Sequence, residues 1–235
     1  MRSQPPAVLL ALCVVLAAGV FCETASATVE FTGTVTNDGM TGIRGARSHI
    51  QRYNPRVSGN PLNCSSAWVM VDNASAPGAY AQVGWVEFED HGNNPYCFWE
   101  YCTYSGSDPG PILTNLVPNG GNYTGADDLF TVQYIDGAIK YRINGVVQHT
   151  TSSPDWTPDQ AQYLCEIHAA SGNTFPQMGG DSNHKVDYDV PAYYSSSAWH
   201  ALNPDPIGTN NHKAQGSYGR YLPCSSSDDP RWFKV

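Results

Sequence analysis

Apolar and polar residues alternate over short stretches along most of this chain. Side chains at every second position of a β-strand share a face, so this period of two predicts strands with one apolar face. Clusters of Gly, Pro, Asn, Asp and Ser separate the stretches, and Asn144-Gly145 predicts a tight hairpin. No stretch shows sustained helical periodicity with caps. The predicted strands are residues 28–35, 43–50, 67–72, 80–89, 96–104, 129–134, 138–143, 146–149, 160–168 and 183–190.

These strands and turns are typical of an antiparallel β-sandwich. No charge run, low-complexity linker or internal repeat divides the chain, which favours a single domain. We assign residues 28–235 to this domain. From about residue 191 onwards the pattern is less regular, and Trp232-Phe233 is a candidate for a last strand.

Three of the predicted strands place a polar or aromatic side chain opposite their apolar row. Trp68 and Asp72 do so in the strand over residues 67–72, Gln82 in the next, and Glu166 in the strand over residues 160–168. We expect these side chains to share one solvent-exposed face of a sheet. That arrangement is typical of a binding or catalytic groove.

The pair Gln82 and Glu166 has a chemistry suited to hydrolysis. A carboxylate can act as the general base for a water molecule when no metal is present. An amide donates N–H groups to a developing oxyanion. Together, Glu166 and Gln82 could hydrolyse a peptide bond, best under acid conditions where the leaving amine is easily protonated. Alternatively, each is a solvated residue on an exposed sheet.

Four short motifs, in order along the chain, resemble those of the eqolisins, a family of acid-acting glutamic peptidases. They are SAWVMVD over residues 66–72, QVG over 82–84, FWEY over 98–101 and AQYLCE over 161–166. The resemblance spans roughly residues 67–166 and implies a sandwich of two antiparallel sheets. We therefore predict an all-β fold class: a single-domain antiparallel β-sandwich of the jelly-roll or concanavalin A-like type.

The resemblance also implies roles for individual residues. Gln82 and Glu166 fall on the catalytic pair of the family, Trp68 on the Trp of its first motif and Glu100 on the Glu of its third. Alternation places further candidates on the same face. The predicted substrate-binding residues are Trp68, Glu100, Tyr80 and Asp72.

The chain also departs from the family pattern. Four residues after the Gln, where the family carries a functionally placed Asp, this chain has Val86, and alternation sends the neighbouring Glu87 to the other face. Gln162 replaces an acid of the family motif. An alternative function is therefore a non-catalytic secreted sandwich that binds carbohydrate or peptide and has lost peptidase activity. A glycosidase would need two carboxylates, for which Glu100 and Glu166 are the candidates.

The net charge of the chain limits the classes of partner that are expected. The chain of 235 residues has 12 Lys and Arg against 21 Asp and Glu, a formal net charge of −9. Nucleic acids and anionic membranes are bound by clusters of Lys and Arg, so neither is expected as a partner. We expect a monomer that acts on an extracellular polypeptide or polysaccharide. No cofactor is expected, and no metal, because neither a zinc spacing nor a CxxC motif is present.

The first 27 residues read as a secretory signal peptide. Arg2 precedes the apolar stretch 7–18, which is short for a membrane span, and Ala25-Ser26-Ala27 supplies a small-x-small cleavage site. We therefore expect a secreted, extracellular protein that is not held at a membrane after cleavage.

Five cysteines remain after residue 27, so at least one is free if the others pair. Cys97 and Cys102 lie five residues apart in one predicted strand and face opposite ways. Cys165 lies on an apolar row and is interpreted as a buried thiol. A disulfide between Cys64 and Cys224 is a possible link between an early loop and the tail.

Overall fold

The computed structural model describes residues 28–36, 40–52, 57, 63–76, 78–88, 95–104, 109–117, 127–169, 186–202, 212–216, 224–225 and 232–234. The elements in these residues are all strands. They are β1 (Thr28–Thr36), β2 (Gly45–Gln51), β3 (Cys64–Asp72), β4 (Tyr80–Phe88), β5 (Tyr96–Tyr104), β6 (Pro109–Val117), β7 (Asp127–Ile135), β8 (Ala138–Ile143), β9 (Val146–Ser152), β10 (Gln160–Ala169), β11 (Asp187–Ser195), β12 (Ala198–Ala201), β13 (His212–Gly216), β14 (Cys224–Ser225) and β15 (Trp232–Lys234).

The strands form two antiparallel sheets. Sheet 1 has the order β13-β1-β10-β3-β4-β5-β6, and sheet 2 has the order β14-β15-β11-β2-β7-β8-β9, with β12 also paired to β11. The predicted all-β antiparallel sandwich is confirmed. The predicted hairpin at Asn144-Gly145 joins β8 to β9, and both residues have the positive φ that this turn requires.

The main apolar core lies between the two sheets. Sheet 1 contributes alternate residues such as Val69, Val83 and Tyr163, and sheet 2 contributes Phe130 and Tyr141. Each such side chain adds about 1.5–3 kcal/mol when it is removed from water. The apolar rows predicted for β3, β4 and β10 are therefore confirmed as the core-facing rows.

Some strands of the structure are not among those predicted from the sequence. No strand is predicted between residues 104 and 129, yet β6 begins at Pro109 and includes Pro111. Proline lacks the N–H that a ladder needs, but it is tolerated on an edge, and β6 is the last strand of sheet 1. The short strands β12, β13 and β14 were also missed, whereas the candidate last strand at Trp232-Phe233 is present as β15.

Four cysteines are buried free thiols: Cys64, Cys97, Cys102 and Cys165. Cys97 packs in the core between the sheets, whereas Cys102 packs on the opposite side of sheet 1, as predicted from their spacing. Burial raises the pKa of the Cys165 thiol to about 12, so it stays protonated and inert. Cys64 is a free thiol in the structure, which therefore does not show the suggested disulfide to Cys224.

One expectation concerns residues beyond this description. The predicted signal peptide, residues 1–27, lies outside the described residues. In the part of the chain that is described, no helix is long and apolar enough to cross a membrane.

Gly84 allows β3 and β4 to approach closely at Trp68. The two residues are paired across the strands, and a Cβ added to Gly84 would lie 2.7 Å from both the Cα and the Cβ of Trp68. Real Cβ atoms do not come this close to backbone, so any other residue at position 84 would push the two strands apart. Gly33 makes a similar close approach to Leu164 from β1.

We predict that Gly84→Ala lowers the free energy of unfolding by at least about 2 kcal/mol, because the clash is with backbone rather than with a flexible side chain. Urea denaturation measures this. Gly137→Asn is the matched control: Gly137 has φ 75° in the β7–β8 turn and nothing within 4 Å of an added Cβ. Asn tolerates that conformation, so the control should lose less than about 1 kcal/mol. Equal losses in both variants would contradict the packing argument.

Candidate active site

The side of sheet 1 that faces away from sheet 2, here called its outer face, carries all the predicted site residues. Alternation places Trp68, Gln82, Glu100 and Glu166 opposite the residues that enter the core. A second apolar cluster surrounds them. It consists of Cys64, Trp68, Met70, Tyr80, Val86, Phe88, Phe98, Cys102 and Leu164.

Strand register arranges this face in rows that run across β10, β3, β4 and β5. The first row is Glu166, Ser66, Val86 and Tyr96. The second is Leu164, Trp68, Gly84 and Phe98. The third is Gln162, Met70, Gln82 and Glu100, and the fourth is Gln160, Asp72, Tyr80 and Cys102.

The carboxylate of Glu166 is hydrogen-bonded by the indole of Trp68. Trp68 Nε1 donates to Glu166 Oε2 at 3.2 Å, between the first and second rows. A donor of this kind stabilises the ionised form of a carboxylate and fixes its orientation. The structure therefore brings together two residues that are 98 positions apart in the sequence.

The backbone in the row of Trp68 also accepts a hydrogen bond from the core side of sheet 1. Tyr188 of β11 is buried in the core between the sheets, and its hydroxyl donates to the Leu164 carbonyl at 2.5 Å. Burial is the main cause that raises the pKa of this hydroxyl well above its usual range, so it remains a donor. Sheet 2 thus supports the backbone that carries Trp68 and Glu166.

The amide of Gln82 is oriented by Glu100. Gln82 Nε2 donates to Glu100 Oε2 across β4 and β5, where the two residues are directly paired. Gln82 Oε1 is buried and has no hydrogen-bond partner among the described residues. The amide has a second N–H beyond the one that Glu100 accepts.

The two predicted catalytic groups lie on the same face but do not bond each other. Glu166 is paired with Ser66, whereas Gln82 is paired with Met70, so the two lie two strands apart and four positions along. This corresponds to about 10 Å across the strands and about 13 Å along them. Trp68 lies in the row between, and a bound molecule that contacts both groups has to span its indole.

One expectation about this face is wrong. The residues were predicted to be exposed to solvent, but Gln82 is 0% and Glu166 1% exposed. Large apolar side chains of the second cluster, such as Met70 and Phe98, share this face with the polar groups. Periodicity predicts which face a side chain occupies, but it does not predict whether that face is covered.

Asp72 is a second buried carboxyl on this face. Its Oδ2 accepts a hydrogen bond of 2.8 Å from Gln162 Nε2, while its Oδ1 is buried with no partner among the residues described. The pKa of Asp72 is raised to about 7, mainly by burial; the hydrogen bond from Gln162 lowers it and the nearby charge of Asp159 raises it, and the value is the net of these effects. Asp72 is therefore a neutral acid at low pH.

Two residues of the site were not assigned a role from sequence. Gln162 was noted only as a replacement for an acid, yet it is the donor to Asp72. Ser66 is paired with Glu166 and fully buried, and its Oγ makes no hydrogen bond within the described part of the chain. Alternation in β3 puts Ser66 on the face of Trp68, but only the strand register shows that it neighbours Glu166.

The remaining predicted residues occupy the same face in less direct positions. Tyr80 is buried two residues from Gln82, in the row of Asp72. Val86 is in the row of Glu166 and belongs to the apolar cluster. Among the described residues, no group of three or more His, Cys, Asp or Glu side chains is arranged to hold a metal ion.

Solved structures of other proteins share this fold. Scytalido-glutamic peptidase with a transition state analog inhibitor superposes with a TM-score of 0.57 at 13% identity, covering 89% of this chain and 98% of that one. SCP-B, a member of the eqolisin family in a complex with the tripeptide Ala-Ile-His, gives a TM-score of 0.52 at 12% identity with the same coverage. The chain shares the fold of the glutamic peptidases.

The resemblance inferred from four motifs is therefore confirmed at the level of the fold, over most of the chain rather than over residues 67–166 alone. Identity this low carries no residue roles with it. The sequence matches no protein-family model and no curated protein.

Asp72 makes a testable contribution to the pH dependence of stability. Its pKa rises from 3.8 to about 7 on folding, so the folded state holds a proton that the unfolded state has released. Stability from this group is fully present below the unfolded value and is lost as pH rises through about 7. About three pKa units correspond to about 4 kcal/mol.

We predict that Asp72→Asn removes this fall. The free energy of unfolding, measured by urea at about pH 4 and about pH 8, should decline less in the variant by a few kcal/mol. Asp136→Asn, in the exposed β7–β8 turn, should retain the decline of the parent chain. An unchanged decline in Asp72→Asn would show that Asp72 does not hold the proton.

Proposed function

We propose that this protein is a secreted, acid-acting endopeptidase of the glutamic type, with Glu166 as general base and Gln82 as oxyanion donor. The observation that carries the proposal is the polar arrangement on the outer face of sheet 1. One buried carboxylate there has an indole donor, and one buried amide is oriented by a second carboxylate. Both stand in a fold shared with glutamic peptidases.

The first chemical step uses Glu166 as a base. Its carboxylate takes a proton from a water molecule, and the water oxygen forms a bond to the carbonyl carbon of the scissile peptide. The carbonyl oxygen becomes an oxyanion, and Gln82 is the proposed donor to it. Because the register holds Gln82 and Glu166 about 10 Å apart across the strands and about 13 Å along them, this step requires both side chains to meet the substrate above the indole of Trp68. Glu100 orients the Gln82 amide, because it fixes which end of the amide carries the donors.

The second step breaks the peptide bond. The protonated Glu166 returns its proton to the leaving nitrogen, the carbon–nitrogen bond breaks, and a carboxylic acid and an amine are released. Trp68 holds the Glu166 carboxylate in one orientation in both steps. Burial of these groups strengthens each electrostatic contact relative to water.

Further support comes from polar atoms that the described residues leave unsatisfied. Ser66 Oγ, Asp72 Oδ1 and Gln82 Oε1 are all buried on this face without a partner in the described segments. A buried polar atom without a hydrogen bond costs about 1–3 kcal/mol. Three on one face favour a surface built to bind a polar chain with its own donors and acceptors, such as a polypeptide.

We predict cleavage of denatured protein between about pH 2 and pH 5 that is lost in both Gln82→Ala and Glu166→Gln. Loss of a general base or of an oxyanion donor typically costs 10²-fold or more in kcat. The assay follows release of new amino termini from the substrate. Gln148→Ala, an amide on β9 of sheet 2, is the control and should keep full activity.

Folding of each variant is checked by its melting temperature. A folded parent chain that cleaves nothing over this pH range would contradict the peptidase proposal. Activity that survives in either site variant would remove that residue from the mechanism.

A second prediction tests the hydrogen bond that the Trp68 indole donates to Glu166. Trp68→Phe keeps an aromatic ring but removes the N–H that binds Glu166, so kcat should fall about tenfold or more with little change in KM. Trp85→Phe is the matched control, because Trp85 Nε1 donates to the Gln51 carbonyl at the same 3.2 Å on the core side of sheet 1. The two variants should lose similar stability, and only Trp68→Phe should lose kcat. A kcat loss of equal size in both would mean that the effect is structural.

One observation favours a second candidate, a binding sandwich without turnover. The family pattern carries an Asp where this chain has Val86, and Val86 is buried in the row of Glu166. Glu166 then has an aliphatic neighbour instead of a second acid across β3. Binding of an unfolded polypeptide or a polysaccharide without cleavage, weakened by Trp68→Ala, would favour this candidate.

A further inference from the structure

A second polar surface lies on the other layer of the sandwich. The outer face of sheet 2 consists of the residues that alternate with core residues such as Ala46 and Tyr141. Arg47 of β2 and Lys140 and Arg142 of β8 stand on this face. The chain as a whole has 12 Lys and Arg against 21 Asp and Glu, and three of these cations stand in two neighbouring rows of this face.

Register places these cations side by side. Arg47 pairs with Thr131, and Thr131 pairs with Arg142, which makes one row across three strands. The two guanidinium-bearing positions are therefore about 10 Å apart, two strand spacings. Lys140 lies in the neighbouring row, paired with Gln133.

Neutral contacts hold the two arginines in place. The Arg47 guanidinium lies 4.4 Å from the ring centroid of Trp199, and Arg142 Nη1 donates to Gln133 Oε1 at 3.1 Å. Trp199 in turn packs against Tyr194, with 5.2 Å between ring centroids. Such contacts orient a guanidinium without neutralising it.

Acidic side chains on this face lie off the arginine row. Asp136, in the β7–β8 turn, lies 4.0 Å from Lys140. Asp127 contacts His49, and Asp189 of β11 is paired with His49, one row beyond the arginines. Neither Arg47 nor Arg142 forms a salt bridge with any described residue, so the two guanidinium groups keep their positive charge within the row.

A β-bulge at the edge of this row provides an independent observation. The register of β11 against β2 shifts between Asp189 and Ala192, and Ala192 is paired with Arg47. Within the bulge, Val190 has φ 48° and is 46% exposed. A β-branched residue in the left-handed region is strained, and such strain and bulges concentrate at binding surfaces.

We propose that the outer face of sheet 2 binds an anionic polysaccharide, with Arg47 and Arg142 contacting its acidic groups and Trp199 packing against a sugar ring. A polyuronate or a sulfated glycan repeats its charges along an extended chain, which matches a row of fixed cations. The aromatic pair beside the row favours sugar over an acidic peptide, because sugar rings present apolar C–H faces that pack on aromatic rings. The surface lies on the layer opposite the candidate active site, so this proposal does not depend on the peptidase proposal.

The test measures binding of the full chain to polygalacturonate, dextran sulfate, neutral dextran and poly-glutamate. We expect binding to at least one acidic glycan, none to dextran, and a steep loss of affinity between about 0.02 M and about 0.3 M salt, where screening shortens from about 20 Å to below 10 Å. Arg47→Gln and Arg142→Gln should each weaken binding about five- to tenfold at low salt. Lys213→Gln, in β13 of sheet 1, removes the same charge from the other layer and should change affinity less than twofold.

Each other outcome overturns the proposal. Binding of poly-glutamate alone would assign the surface to acidic peptides, and binding of dextran would remove charge from the argument. Equal weakening by Lys213→Gln would show that only net charge matters. Failure of both acidic glycans to bind, with an unchanged melting temperature in every variant, would show that the arginine row is not a glycan site. None of these results bears on cleavage by Glu166 and Gln82.

Discussion

The row formed by Leu164, Trp68 and Gly84 is the constraint on which the candidate active site depends. Gly84 lets β4 approach the backbone of Trp68, and the Tyr188 hydroxyl from sheet 2 holds the Leu164 carbonyl from the core side. On the opposite side of the same row, the indole of Trp68 binds Glu166. Backbone packing and carboxylate orientation are thus fixed at a single place, where the two sheets are also joined.

Strand alternation explains how one sheet carries both a core and a polar site. The face of sheet 1 toward sheet 2 is apolar, and the other face mixes large apolar side chains with Gln82, Glu100 and Glu166. Gln82 and Glu166 each form a hydrogen bond with a side chain of an adjacent strand, whereas Ser66 Oγ has no partner among the described residues. Specific pairs such as Gln82 with Glu100 follow directly from the register.

Periodicity therefore predicted the sandwich and the face of each site residue, but not the contacts. The bond from Gln162 to Asp72 depends on the register of β10 against β3, which residue patterns do not encode. The burial of Gln82 depends on side chains from several strands, which no single strand reveals. Pro109 misled the assignment of β6 because proline signals a break in a central strand but is allowed at an edge.

Val86 stands at the position where the glutamic peptidase motif carries an Asp. It occupies the row of Glu166, and its isopropyl group packs with the apolar cluster instead of supplying a second acid. In the proposed mechanism, the general base is therefore a carboxylate whose orientation is fixed by the indole of Trp68. That hydrogen bond runs between the rows of Trp68 and Glu166 and does not involve position 86, so the substitution leaves it in place.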